Sequence, residues 1–124
     1  MIEMGLWAAV APLMLLLLSS LWSYPAVLEE VVKWAILRYG GAKLPTTREG
    51  VMVGAVFGVA ESVLYTSNAW MSGQWGAMGL RLILTVPMHA VSALVIAYGL
   101  SKRLGWLGVM VAMIIHATFN YLVR

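Results

Sequence analysis

Five stretches of apolar residues follow one another along the chain, roughly Gly5 to Trp22, Pro25 to Tyr39, Gly50 to Trp70, Gly79 to Leu100 and Gly105 to Val123. In lipid every backbone amide must find its partner within its own segment, so runs of this kind predict helices and not open strands. Pro25 suits the first turn of a helix, where its missing N–H costs nothing, and only Ser23 and Tyr24 link it to the first stretch. At 1.5 Å per residue the second stretch measures about 22 Å, short of a hydrocarbon core about 30 Å thick. It either thins the membrane locally or stops short of spanning it. The pattern predicts an all-α integral membrane protein, a polytopic bundle of about five transmembrane helices forming one domain over residues 1–124.

Composition sharpens that picture. The chain is 62% hydrophobic and 10% charged, whereas a soluble domain carries about 25% charged residues. Too few polar residues remain to clothe a globule. The start, Met1-Ile2-Glu3-Met4, lacks a positive n-region, and no small-residue cleavage site follows the first apolar run, so that segment is expected to be retained. With no cysteine in the chain, disulfides and thiolate metal sites are excluded.

The net charge is +3, and its basic residues cluster in loops, which points to membrane orientation, with no nucleic-acid partner implied. Arg38, Lys43 and Arg48 bracket the connection between the second and third segments, and Lys102 and Arg103 that between the fourth and fifth. The Met71 to Met78 connection has no charge. The positive-inside rule then places the N-terminus in the cytoplasm and the C-terminus outside. Aromatic residues agree: Trp22, Tyr24, Trp70, Trp75 and Tyr121 fall at the outer boundary, and Trp7, Tyr39, Tyr98 and Trp106 at the inner one. Glu3 and Arg124 run mildly against this orientation.

Against this apolar background five groups stand out: Glu29, Glu30, Glu61, His89 and His116. The chain has only five acidic residues and two histidines, so three carboxylates and both imidazoles lie inside hydrophobic runs. Each costs a few kcal/mol if it faces lipid alone. Counted from the outer helix ends, Glu29 and Glu30 lie about 6–8 Å deep, His116 about 10 Å, and Glu61 and His89 about 14–15 Å. Helices running in alternating directions thus bring these groups into one layer of the outer half, which predicts a single buried polar site.

Each residue has a plain structural role beside a chemical one. Lys33 lies four residues after Glu29 and three after Glu30, within reach of either. The three form either a helix-end network that snorkels to water or a pair in which Lys33 holds one carboxylate ionised while its neighbour exchanges a proton. Glu61 has no basic residue within a turn, so its partner must come from another helix, and a protonated carboxyl acting as glue is its plain reading. Gly50, Gly54 and Gly58 repeat every four residues and predict close helix packing. His89 sits two turns below Arg81, with Pro87 between them to kink the helix and open space; a packing histidine is the plain alternative. His116 and Asn120 share a face, pairing an acid or ligand with an amide able to stabilise an oxyanion.

The row Glu29-Glu30-Val31-Val32-Lys33, then Phe57-Gly58-Val59-Ala60-Glu61, then His89, then His116-Ala117-Thr118-Phe119-Asn120 resembles the four signature segments of the PrsW family. That family belongs to the clan of CAAX prenyl proteases and bacteriocin-processing intramembrane proteases. The resemblance runs from about Pro25 to the C-terminus and implies an intramembrane endopeptidase in the cell membrane of a prokaryote. It implies Glu29 as the base that activates water, with Glu30 orienting it or sharing the proton. His89 and His116 would hold the water or protonate the leaving amine, Asn120 would polarise the scissile carbonyl, and Lys33, Glu61 and Arg81 would support. Either no cofactor is needed or a zinc ion is held by Glu61, His89 and His116. Lys33 and Glu61 stand where the CAAX-protease branch prefers Arg and His, so the implied substrate is a single-pass or otherwise membrane-bound protein such as an anti-sigma factor. Relatives carry additional helices, and a second copy of this chain is one way to enclose the site.

Two other classes fit part of the pattern. A proton-coupled transporter would need a continuous polar route to both faces, and the cytoplasmic half has no ionisable group away from the helix ends. A degenerate, non-catalytic scaffold or receptor of the same fold would gain stability when the ionisable groups are replaced by apolar ones.

Overall fold

A computed structural model of the protein describes residues 1–19, 24–41, 43–73, 75 and 78–123. Among them are five helices and no strand: α1 (Ile2–Ser19), α2 (Pro25–Tyr39), α3 (Thr47–Ser72), α4 (Met78–Ser101) and α5 (Gly105–Leu122). Thr47–Ser72, Ile83–Ser101 and Gly105–Leu122 are long and apolar enough to cross a membrane, and Ile2–Leu17 is a shorter apolar helix. At 15 residues, α2 is the short, polar member, as its sequence suggests. The all-helical membrane architecture expected from the apolar pattern is the architecture observed.

Boundaries shift where local chemistry extends a helix beyond its apolar run. α3 begins three residues before Gly50 because Thr46 and Glu49 form a reciprocal capping box: the Thr46 hydroxyl accepts from the Glu49 N–H, and the Glu49 carboxylate accepts from the Thr46 N–H at 2.8 Å. Two otherwise orphaned amides are thereby satisfied. The helix stops at Gly73, whose φ of +72° is the left-handed turn that glycine adopts without strain. α1 starts at Ile2, with Glu3 in its first turn complementing the helix dipole. Its described part runs to Ser19, and Trp22, Ser23 and Arg124 lie outside the described residues.

Small residues decide how the helices meet. A Cβ on Gly50 would fall 2.8 Å from the Ala93 carbonyl oxygen, one on Gly58 would fall 2.8 Å from the Val86 Cα, and one on Gly54 would collide with the His89 carbonyl. The glycine stripe of α3 therefore lies directly on the α4 backbone, antiparallel to it. Gly99 and Gly108 do the same between α4 and α5, each with the other's Cα about 3 Å from where its Cβ would be. Without a hydrophobic drive between helices in lipid, such backbone approach supplies the dispersion energy of association. α1 contributes Met4, Ala8, Ala11 and Leu15, a three- and four-residue spacing that forms one buried stripe. It meets Leu37 of α2, Val53 and Phe57 of α3 and Ile96 of α4 in the same core.

The alternation of helix directions sorts the aromatic residues. Trp7, Tyr39, Tyr98 and Trp106 all lie exposed toward one end of the bundle, and Tyr24, Trp70, Trp75 and Tyr121 toward the other. Amphipathic rings prefer the two membrane–water interfaces.

Candidate active site

Close packing of α3 on α4 brings Glu61 and His89 together. Gly58, one turn before Glu61, lies against the His89 side chain, and the Glu61 Oε2 pairs with the His89 Nε2. This is the cross-helix partner that Glu61 requires. The Phe57 ring rests against the other side of His89, with ring centroids 5.2 Å apart.

Lys33 is the hub of the buried network. Fully enclosed, its Nζ donates to Glu30 Oε1 at 2.6 Å and to Ser92 Oγ at 2.9 Å, and lies 2.7 Å from His89 Nδ1. Three ammonium N–H bonds thus meet three acceptors, leaving none wasted. Of its two candidate carboxylates, Lys33 takes Glu30. The same hydrogen-bond count assigns the histidine tautomers. His89 Nδ1 accepts from Lys33, so its Nε2 carries the proton and donates to Glu61.

His116, on α5, is oriented from the other side. Its Nδ1 lies 2.7 Å from Glu30 Oε1, where a carboxylate that already accepts from Lys33 must accept again. His116 therefore donates through Nδ1 and keeps the Nε2 lone pair. That Nε2 faces Glu29 Oε2 at 3.6 Å, too far for a direct hydrogen bond. Glu29 Oε2 has no hydrogen-bond partner among the described residues, and the two histidine rings meet edge to face at 5.0 Å.

Glu29 is also where the network meets open space. A cavity of about 740 Å³ is lined by Glu29, Glu61, Tyr65, Asn68, Arg81 and Asn120 on its polar side, and by residues such as Leu15, Leu16, Leu28 and Leu64 on its apolar side. Asn120 reaches this cavity from the turn of α5 that follows His116, and Arg81 from the first turn of α4. The Arg81 guanidinium lies over the Tyr65 ring, 4.6 Å from its centroid. Glu30, Lys33 and His89 stay behind the wall, fully buried.

All eight residues singled out in the sequence thus belong to one region, divided in two: a sealed network of Glu30, Lys33, His89 and His116, and a cavity surface with Glu29, Glu61, Arg81 and Asn120. The sequence reading passed over Ser92, which is fully buried and bonded to Lys33. Its signal was its place three residues after His89, on the same face of α4. Asn68 of the cavity wall was also passed over.

The donor set for a metal differs from the expected Glu61, His89 and His116. The atoms that converge within 4.8 Å belong to Glu29, His89 and His116, and Glu61 instead pairs with His89. Both nitrogens of His89 are engaged, by Lys33 and by Glu61, so this set fits a three-ligand ion only after His89 releases one partner. His116 Nε2 and Glu29 are the donors free as they stand.

Comparison with protein-family models, with curated proteins and with solved structures finds no match to this chain.

Proposed function

We propose that the protein is an intramembrane endopeptidase of the PrsW type, hydrolysing a peptide bond of a membrane-bound protein with water activated by Glu29. One observation carries the reading. Glu29 Oε2 is buried without a hydrogen-bond partner among the described residues, at a cavity wall, 3.6 Å from the His116 Nε2. A poorly solvated carboxylate beside an imidazole is a proton acceptor and donor pair suited to hydrolysis.

The steps balance with the protein's own groups. Glu29 takes a proton from water as the water oxygen bonds to the scissile carbonyl carbon. The carbonyl π electrons move to its oxygen, and Asn120 donates to that oxyanion from the cavity wall. Collapse of the tetrahedral intermediate breaks the C–N bond, and the proton held by Glu29 passes through His116 Nε2 to the leaving amine. Glu30 fixes the His116 ring through Nδ1, and Lys33 fixes Glu30, so the buried network serves as positioning machinery. Glu61, through His89, locks the other side of Lys33.

Orientation belongs to the same proposal. With the basic connections cytoplasmic, the N-terminus is inside, the C-terminus outside, and the cavity opens toward the outer face. Co-reconstitution with single-pass membrane proteins, followed by mass spectrometry of fragments, tests the activity. Cleavage by wild type that is absent with Glu29→Gln supports the reading; a substrate cut equally by Glu29→Gln and Glu30→Gln overturns it.

A further inference from the structure

The reaction proposed above leaves one charged residue of the cavity without a task. Arg81 is half-buried in the first turn of α4, and its guanidinium rests on the Tyr65 ring. Among the described residues no carboxylate forms an ion pair with it. It lines the same cavity as Glu29 and Asn120 and is the single cation there among the described residues, with leucines also in the lining. Two residues before the apolar span Ile83–Ser101, near a helix end, the membrane tolerates a guanidinium. One whose face lies on an aromatic ring keeps its N–H edges free, and those edges match a carboxylate in bidentate fashion.

We infer that Arg81 is a specificity-determining residue that selects membrane substrates by an acidic side chain near the cleaved bond. The inference rests on the proteolytic reading and adds a register to it. Arg81 precedes His89 by eight positions, about 12 Å along the helix axis. His89 lies in the layer of the reacting groups, its ring 5.0 Å from that of His116. An extended chain covers about 12 Å in three to four residues. Glu29, the reacting group, lies shallower than His89 and lines the cavity with Arg81, so the selected Asp or Glu lies at most three or four positions from the scissile bond, on the side facing the α4 N-terminus.

The competing occupant is a lipid phosphate at the cavity mouth. Arg81 lines one cavity with Glu29 and Asn120, which favours the substrate carboxylate, because a lipid headgroup filling that cavity would obstruct the reacting groups.

The test uses full-length protein in vesicles of mixed zwitterionic and phosphatidylglycerol lipid. The probe is a library of membrane-inserted peptides with randomised positions around an apolar centre, and cleavage sites are read by mass spectrometry. Wild type should show Asp or Glu enriched about tenfold at one position, as a hydrogen bond to a charged group implies. Arg81→Glu should lose that preference and gain Lys or Arg at the same position, a reversal that a merely structural role cannot produce. Cleavage without acidic enrichment, or enrichment unchanged in Arg81→Glu, overturns the assignment of Arg81 while proteolysis stands. A rate that follows phosphatidylglycerol content with no sequence preference assigns Arg81 to lipid and likewise overturns it. No cleavage above Glu29→Gln overturns the proteolytic reading and this inference with it.

Discussion

Lys33→Met removes the hub of the buried network, and its cost separates two physical pictures. In wild type Lys33 supports Glu30, His89 and Ser92 through three contacts of 2.6–2.9 Å with no exposure to solvent. If these are ordinary polar contacts between helices, each contributes about 0.6 kcal/mol, and the loss totals about 2 kcal/mol. If Lys33 and Glu30 are a charge pair, removing one partner leaves a buried carboxylate uncompensated, and the loss rises to about 3–5 kcal/mol. Three polar contacts around the Lys33 Nζ match the three N–H bonds of an ammonium and so suit the second case. Lys33→Met should then cost about 3–5 kcal/mol, and Lys33→Met/Glu30→Gln should recover most of it, because the orphaned charge is gone. Equilibrium unfolding in mixed micelles, with the four members of the cycle compared, measures both quantities. A single-variant cost below about 1 kcal/mol, or a double variant that only adds the two single losses, refutes the charged network.

Four further outcomes follow from the same geometry. Gly54→Ala sets a Cβ against the His89 carbonyl and should destabilise by about 1–3 kcal/mol in the same unfolding assay, whereas Gly79→Ala, with open space at that point, should be near neutral. Asn120→Ala should lower kcat by about a hundredfold or more, as removal of an oxyanion donor does, with the melting curve unchanged; an unaltered kcat removes Asn120 from the mechanism. Ser92→Ala should cost about 1 kcal/mol, read by micelle unfolding, since Lys33 loses one of its three acceptors. Cleavage should persist after treatment with a zinc chelator, because both His89 nitrogens are engaged; a loss restored by added zinc would show that His89 leaves Glu61 to bind metal.

The helical bundle was legible because lipid leaves few alternatives. Once backbone amides must be satisfied locally, an apolar run is a helix, and a polar device such as the Thr46–Glu49 box carried α3 beyond its run. The convergence of Glu29, Glu30, Glu61, His89 and His116 was legible for a related reason, since depth along an antiparallel bundle follows from residue counts. What counting leaves open is azimuth. Which carboxylate Lys33 meets, and whether Glu61 or Glu29 faces the pair of histidines, depends on helix rotation. Rotation is set by the Gly50–Gly54–Gly58 stripe lying on α4 and by Gly99 against Gly108. The stripe predicted contact without naming its partner. For that reason the expected zinc set carried Glu61, while the structure presents Glu29. Ser92 escaped notice because a serine in a membrane helix ordinarily bonds its own backbone, and only the three-dimensional position of Lys33 gives it a second role.

The central claim is that Glu29 activates water for peptide-bond hydrolysis. The most direct measurement is cleavage of reconstituted membrane peptides in oxygen-18 water by wild type and by Glu29→Gln, an isosteric change at an oxygen with no hydrogen-bond partner among the described residues. Each wild-type product should carry oxygen-18 in its new C-terminal carboxylate, and a Glu29→Gln protein that unfolds at the wild-type midpoint should give no product. Labelled product formed at the wild-type rate by Glu29→Gln would contradict the claim.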